Sequence, residues 1–380
     1  MFCRSWGDCW MSKLVFLEDV CDILDSQRVP VTSKNRNKGI YPYYGANGVQ
    51  DYVDDYIFDD ELVLLAEDGG NFGSTEKPIA YRTSGKCWVN NHAHVLKAKE
   101  CIDVDYLCYS LMFYNVSSIV NGATRQKLNQ SMMRKMIIPL PEMNEQHIIV
   151  SKLDKVTNAI KLCNTILEKL DLLVKSQFVE MFGDIRISSI FPNISLDNFA
   201  QIGSSKRVHA ADYVESGIPF YRSKEIIELG NGQEPSVELF ISKKQYECIR
   251  KTNGVPCKGD ILMSAVGTIG KMWIVDGQKD FYYKDGNIIS IHSEETNPIY
   301  LKEALANLID DFKSANVAGS AYSALTIVKL KKMTVPMPPI SLQNEFADFV
   351  QQIDKSKLAV KKTLEKAETL KKTLMQEYFG

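Results

Sequence analysis

Three short stretches carry the residue types that could do chemistry. In Asn90-Asn91-His92-Ala93-His94 two imidazoles stand two residues apart, which places them on one face of a strand. Such a pair could begin a metal site, but a third and fourth ligand at sensible spacing are missing. Contact with a base edge or a phosphate, and plain structural polarity, are the other readings. Asp68-Gly69-Gly70-Asn71-Phe72-Gly73 could cradle a phosphate through its backbone amides, or simply turn the chain between strands. Asn297-Pro298-Ile299-Tyr300 falls one proline short of the Asn-Pro-Pro-Tyr tetrapeptide of amino-directed methyl transfer, and no Gly-rich cofactor loop stands upstream. It reads better as a helix start, with Asn297 as N-cap and Pro298 in the first turn. The chain has no G-x-x-x-x-G-K-S/T loop and no strand–G-x-G-x-x-G–helix fingerprint, so neither ATP hydrolysis nor dinucleotide chemistry is expected of it.

What remains suits recognition. Tyr41-Pro42-Tyr43-Tyr44-Gly45-Ala46-Asn47-Gly48 combines aromatics and Asn, making Tyr43, Tyr44 and Asn47 candidate DNA contacts, while a Tyr-rich strand ending in an Asn-Gly turn gives the same text. Asn90, Asn91 and His92 are candidates of the same kind. So is the loop Arg125-Gln126-Lys127, at whose place in a second copy of the segment Tyr322 and Ser323 stand. Lys206, Arg207, Arg222, Lys224, Lys271 and Lys284 are scattered cations, some of which would meet phosphate and the rest solvent. The nine cysteines are an odd number, scattered and without a C-x-x-C pair, which suits buried thiols in a reducing cytoplasm and not a zinc site. No metal is expected.

These residues must be positioned by a chain that says the same thing twice. Residues 122–183 lie on residues 319–380 without gaps, matching Gly122/Gly319, Leu128/Leu325, Pro139/Pro336, Pro141/Pro338, Gln146/Gln343 and Phe182-Gly183/Phe379-Gly380. Each copy reads as a loop, a Pro-bounded strand and one long helix. In the first helix Ile149, Leu153, Val156, Ile160, Cys163, Leu167, Leu170 and Val174 recur at heptad spacing. The helix would be on the order of 55 Å long. In the second, Phe346, Val350, Ile353, Val360 and Leu364 form a similar seam, interrupted by Lys357 and Lys371. Neither seam can stay exposed, so the helices are expected to pair with each other, antiparallel, although a parallel pairing or another chain's helix would also bury them. Tyr106-Leu107 and Tyr300-Leu301 stand at similar places upstream, so the duplication extends there too. Further expectations are a helix near 104–120, another near 298–316, and a buried strand at 260–266.

At 380 residues the chain has room for two or more domains, and its 45% hydrophobic and 24% charged content is that of an ordinary globular protein. No apolar run approaches a membrane span, and residues 1–11 read as a leader that is no signal peptide. The net charge of −2 argues against a free-standing nucleic-acid binder.

Taken together the residues resemble the specificity (S) subunits of type I restriction–modification systems. The resemblance covers nearly the whole chain from residue 12 and lies in the order variable region, Pro-x-Pro strand, long helix, stated twice. The matching texts are Ile137-Ile138-Pro139-Leu140-Pro141 with Glu145-Gln146, Val335-Pro336-Met337-Pro338-Pro339 with Gln343, Lys258-Gly259-Asp260-Ile261-Leu262-Met263-Ser264 with Gly267-Thr268-Ile269-Gly270-Lys271, and Asn90 through Leu96. Leu342, where the first copy has Glu145, and the two seam lysines are its departures. The resemblance implies a mixed α+β chain: target-recognition domains at 12–141 and 184–338, and helices at 142–183 and 339–380 paired as an antiparallel coiled coil that fixes a spacer. It implies that each domain reads one half of an asymmetric bipartite site in double-stranded DNA. It further implies a subunit without catalysis of its own, working in the cytoplasm. Two methyltransferase (M) subunits would carry S-adenosylmethionine and share the DNA contact, and restriction (R) subunits would bring ATP and magnesium. The recognition chain of another methyltransferase–nuclease system, or a coiled-coil scaffold for proteins only, are the alternatives.

Overall fold

The computed structural model describes residues 13–74, 76–122, 126–184, 188–316 and 325–380. The chain divides into two compact units: unit 1 is Met1–Asn164 with Lys361–Gly380, and unit 2 is Thr165–Val360. Each contains a sheet region and a piece of both long helices.

In unit 1, β1 (Lys13–Phe16) leads through α1 (Leu17–Val20) into β2 (Cys21–Ile23). The hairpin of β3 (Lys38–Gly45) and β4 (Gly48–Val53) is followed by β5 (Phe58–Ala66), β6 (Ala80–Val89) and β7 (Ala93–Ala98). They form a sheet in the order β2-β7-β5-β6-β3-β4, antiparallel except between β3 and β6. Leu62 and Leu64 pack with Val89 and Val95, while Val63 and Leu65 join the core that includes α2 (Val104–Met112). Covered on both faces, β5 has no polar alternation. The sequence predicts a helix over 104–120, yet α2 ends at Met112. The Met112 carbonyl accepts a hydrogen bond from the Ile79 N–H at 2.9 Å, which diverts it from the helical ladder. Next, α3 (Gln130–Arg134) and β8 (Ile137–Leu140) bring the chain back beside β1, and α4 (Met143–Phe182) begins.

The sheet region of unit 2 opens where Gly183, at φ 84°, ends α4. Short strands follow: β9 (Gly183–Asp184), β10 (Ser188–Ser189), β11 (Asn193–Ser195), β12 (Gln201–Gly203), β13 (Tyr213–Val214) and β14 (Ile218–Tyr221). Then come α5 (Ser223–Gly230), β15 (Phe240–Ile241), α6 (Lys243–Asn253), β16 (Ile261–Ser264), β17 (Met272–Ile274), β18 (Tyr282–Tyr283) and β19 (Ile288–His292). The unit closes with α7 (Pro298–Asn316), α8 (Ile327–Lys331), β20 (Thr334–Pro336) and the start of α9 (Ile340–Phe379). One sheet runs β12-β19-β16-β17 and the other β13-β15-β14-β18. β11 pairs with β20 as β1 pairs with β8, so each sheet region is entered and left side by side.

Each region is bolted to its long helix by the same residues. In unit 1 the buried Gln146 accepts the Asp103 N–H at 2.8 Å and donates to the Pro141 carbonyl at 2.9 Å, and the Tyr106 hydroxyl donates to the Pro139 carbonyl. In unit 2 the buried Gln343 accepts the Asn297 N–H at 2.9 Å and donates to the Pro338 carbonyl at 2.9 Å, and the Tyr300 hydroxyl donates to the Pro336 carbonyl. Asp103 and Asn297 also cap α2 and α7. Buried backbone groups must find partners, and these two glutamines satisfy them at the junction.

The helices meet antiparallel within each unit. In unit 1 Ile149 and Leu153 belong to a core against which Leu374, Met375, Tyr378 and Phe379 pack, and Lys152 reaches the Tyr378 hydroxyl at 3.0 Å. In unit 2 the rings of Phe178 and Phe182 lie 5.5 and 5.4 Å from that of Phe346, and Val174 and Val350 are buried beside them. Val156, Ile160, Leu167, Leu170, Ile353, Val360 and Leu364 are half-buried. The two lysines that interrupt the seam fit differently. Lys357 lies 2.7 Å from Asp171, whereas burial holds the Lys371 ammonium below the usual lysine range.

Candidate nucleic-acid interface

In unit 1 the end of β5 and the start of β7 form one edge. Ala66 stands opposite Ala93, and just beyond them the Glu67 N–H donates to the His92 carbonyl at 2.9 Å. The Gly69–Gly70 turn and the Asn90–His92 turn therefore leave the sheet together. Asn47 joins them by donating to the Gly69 carbonyl at 3.0 Å, and Lys127 joins through a bridge to Asp68. Asn47, Asn91, Gln126 and Lys127 are exposed here, and half-exposed His92 holds Asp68 through Nδ1 at 2.6 Å. Asn90 is buried: it accepts the His92 N–H and donates to Gln50, shaping the turn. Tyr43 lies in the core with its hydroxyl on Val31 and the Arg36 guanidinium 4.0 Å over its ring, and half-buried Tyr44 stacks on Tyr81. Arg125, Tyr322 and Ser323 lie outside the described residues.

Behind this edge sits a charge cluster that the sequence does not announce. His94 is fully buried, with Nδ1 at 2.6 Å from Asp25 and Nε2 at 2.8 Å from the Leu128 carbonyl. Glu67 receives Arg28 at 2.7 Å on one oxygen and Lys127 at 3.0 Å on the other. Burial pushes both carboxyls up, but His94 acting on Asp25, and Arg28 and Lys127 on Glu67, outweigh it and hold both below the ordinary range. Both imidazole nitrogens face oxygen atoms.

The Asp25, Glu67 and His94 ligand atoms lie within 4.8 Å of one another. A metal there would have to break the His94–Asp25 contact and would crowd Arg28 and Lys127. The donor set is closed by the protein's own cations and does not fit a metal. His92 and His94 do not form a ligand pair either, because His92 precedes the strand in a turn and His94 points to Asp25. The signal available in sequence was a single acidic residue closing the apolar run Leu62–Ala66, and no spacing links it to Asp25 or Lys127.

Unit 2 has the corresponding edge. Ala265, just past β16, donates to the Asn287 carbonyl just before β19 at 2.8 Å, as Glu67 does to His92. Gly267 at φ 74° and Gly270 at φ 78° turn the chain, and a Cβ on Gly270 would fall 2.4 Å from Ile309. Ser264 Oγ receives the Lys271 N–H, which ties the turn to the strand. The segment carrying Lys206 lies over β18, since the Lys206 N–H donates to the Tyr282 hydroxyl at 2.7 Å and Ser204 accepts the Gly286 N–H. Lys206, Lys271 and Lys284 are exposed, and their ammonium groups are unpaired among the described residues. Arg207 is exposed but holds Asp285 at 2.8 Å. Arg222 pairs with Glu225 and Glu238, and Lys224 with Glu238, so their charge is spent locally.

A two-part recognition frame of this kind has a match in known proteins. The Type I restriction modification DNA specificity domain matches residues 11–172 and again residues 191–369. The chain belongs to the type I restriction–modification DNA specificity family. The specificity subunit is 31% identical over 344 residues to the putative type I restriction enzyme specificity subunit S.HindORF215P of Haemophilus influenzae, covering 89% of this chain and 86% of the relative. It is 24% identical over 133 residues to the EcoprrI specificity subunit of Escherichia coli, covering 34% of this chain and 32% of that one. Its fold resembles the S subunit of M. genitalium with a TM-score of 0.62 at 15% identity, over 99% of this chain and 98% of the other. It also resembles a chain from a structure concerned with assembly of the type I restriction–modification system, with a TM-score of 0.54 at 16% identity over 97% of each. The specificity subunit is thus the DNA-recognition component of such a system and not its catalyst, and it works with DNA and with methyltransferase and restriction subunits. Among the described residues no helix is long and apolar enough to cross a membrane.

Proposed function

We propose that this specificity subunit reads an asymmetric DNA site in two parts, one with the edge around Gly69 and one with the edge around Gly267. The observation that carries this reading is that both edges leave their sheets at the same structural position while presenting different residues. Unit 1 offers Asn47, Asn91, His92, Gln126 and Lys127, a set rich in groups that pair with base edges. Unit 2 offers Lys206, Lys271 and Lys284, which suit phosphate. Three unpaired lysines on a chain of net charge −2 would hold duplex DNA weakly, so partner subunits supply the rest of the charge. Leu162 and Leu172 on α4, and Leu358 and Leu370 on α9, are exposed and available to dock two methyltransferase subunits. Restriction subunits then join the complex, in the cytoplasm. Recognition domains at 12–141 and 184–338, with helices at 142–183 and 339–380, fit the paired entry and exit strands of each region.

The test is to reconstitute the subunit with its methyltransferase partner and map methylated adenines by sequencing. A motif of two unequal parts separated by unread bases is expected; a single uninterrupted motif overturns the reading. Replacing residues 12–139 by the matching segment of another specificity subunit should change one part of the motif and leave the other.

A further inference from the structure

At this edge, among the described residues, the buried charges of unit 1 have no counterpart in unit 2. His94 lies opposite Leu65 in the sheet, and the residue opposite Met263 at the same place in unit 2 is Ile289. Glu67 is replaced there by Ala265. Unit 2 builds the same edge with apolar residues, so the fold does not require ionised groups at this point. Ionised groups are costly to bury, and their usual compensation is a fixed, directional arrangement.

In unit 1 that arrangement converges on one segment of chain. The Lys127 side chain holds Glu67. The Leu128 N–H donates to the Glu67 carbonyl at 2.7 Å, and the Leu128 carbonyl accepts from His94. Gln130 donates to Asp25 at 3.0 Å, on the same carboxyl oxygen that receives His94. Arg28 closes the far side by spanning Glu67 and the Ala93 carbonyl. Residues 127–130 are thereby gripped at four points. The exposed Gln126 and the Asn121–Lys127 backbone pair stand at the rim.

We infer that Glu67 and His94 are positioning residues that set segment 126–128 at the DNA edge of unit 1, so that base discrimination in one half of the site depends on them and in the other half does not. This rests on the two-part reading above. A base contact is worth its full discrimination only when the side chain is held within a fraction of an ångström, and the four-point grip supplies that hold without touching DNA.

The experiment uses the reconstituted complex with the methyltransferase subunit, comparing the unmodified chain with Glu67→Gln, His94→Gln, Lys127→Met and Lys127→Arg. Base discrimination is read by methylation sequencing of a site library, and the hold by hydrogen exchange of residues 121–130 without DNA. Glu67→Gln and His94→Gln should relax discrimination in one half-site by about tenfold, leave the other half-site unaltered, and speed exchange at Lys127 and Leu128. Lys127→Arg, which keeps the cation on Glu67, should hold exchange at Leu128 without DNA at the unmodified rate, a rescue that a general packing role would not produce. Unchanged discrimination and exchange in an assembled complex, or equal loss in both half-sites, overturns the inference. If the two buried variants do not assemble, Lys127→Met, altered at an exposed side chain, decides: exchange at Leu128 that stays at the unmodified rate overturns it and faster exchange supports it. A motif without two parts in the unmodified chain would instead defeat the two-part reading, while the exchange measurement still reports on the grip.

Discussion

Gln146 ties the N-cap of α2 to Pro141, and Gln343 ties the N-cap of α7 to Pro338 with nearly the same distances. At the opposite ends of the same sheets the likeness stops. Unit 1 fastens its edge with polar side chains drawn from residues 25, 28, 67, 94 and 127, far apart in sequence. Unit 2 fastens its own with Ser264 and two positive-φ glycines, and its buried Glu225 pairs with Arg222 three residues away. The joints are constrained by backbone groups that must be satisfied in either copy. The edges carry no such shared requirement, and there the two copies have diverged.

The most severe break in this comparison should come from Arg28→Met. It leaves Asp25 and Glu67 buried with less positive charge, and unit 1 should lose about 3–5 kcal/mol, measured by urea unfolding. Lys224→Met, which removes an exposed partner of Glu238 in unit 2, should leave unfolding unchanged. Comparable losses from the two would mean that the long-range cluster is no more structural than a surface pair.

Next in size are the joints. Gln146→Leu strands the Asp103 N–H and the Pro141 and Cys101 carbonyls, and Gln343→Leu the Asn297 N–H and the Pro338 carbonyl, at about 1–3 kcal/mol each. Their effects should agree, by local hydrogen exchange near α2 and α7. A large inequality would show that the two joints are alike in geometry and unlike in weight.

Acid should separate the units. The depressed carboxyls of Asp25 and Glu67 stabilise unit 1 above their unfolded values of about 4 and cease to do so as the pH falls through the folded ones. In unit 2 burial raises Glu303. Its contribution has the opposite sign, being complete below the unfolded value and lost as the pH rises through the folded one. Lowering the pH from neutral should therefore firm unit 2 first, and further acid below about pH 4 should open unit 1. Exchange protection that falls in both units together would contradict this.

The smallest effect concerns the seam. Lys371→Leu in unit 1 removes an ammonium that burial disfavours and should stabilise by about 1 kcal/mol. Lys357→Leu gives up the bond to Asp171 and should change thermal stability less.

The joints and seams were legible because the chain repeats them: Gln146/Gln343, Tyr106/Tyr300 and the proline pairs stand out by recurrence, and heptad spacing reports a buried face directly. The ends of α4, at Gly183, and the start of α7, at Asn297, follow from cap chemistry. What periodicity cannot report is which distant charges meet. Nothing in the spacing of Asp25, Glu67, His94 and Lys127 places them together. Tyr43 reads as an exposed aromatic only while the covering of its sheet is unknown, and Arg222 and Lys224 as free cations only until Glu225 and Glu238 are seen beside them. The early end of α2 depends on Ile79, more than thirty residues upstream.

The glutamine joints have a consequence for ancestry. Each grips its neighbour almost wholly through main-chain atoms: a cap N–H and a proline carbonyl, with Cys101's carbonyl added in unit 1. Main-chain atoms are the same whatever sequence arrives. A gene segment transferred from a distant relative need bring only a tyrosine, an N-capping residue and a Pro-bounded strand to seat correctly. Crossovers falling in the stretches that encode the two repeated helices would then leave both joints intact, so that a whole recognition segment could be exchanged in one event.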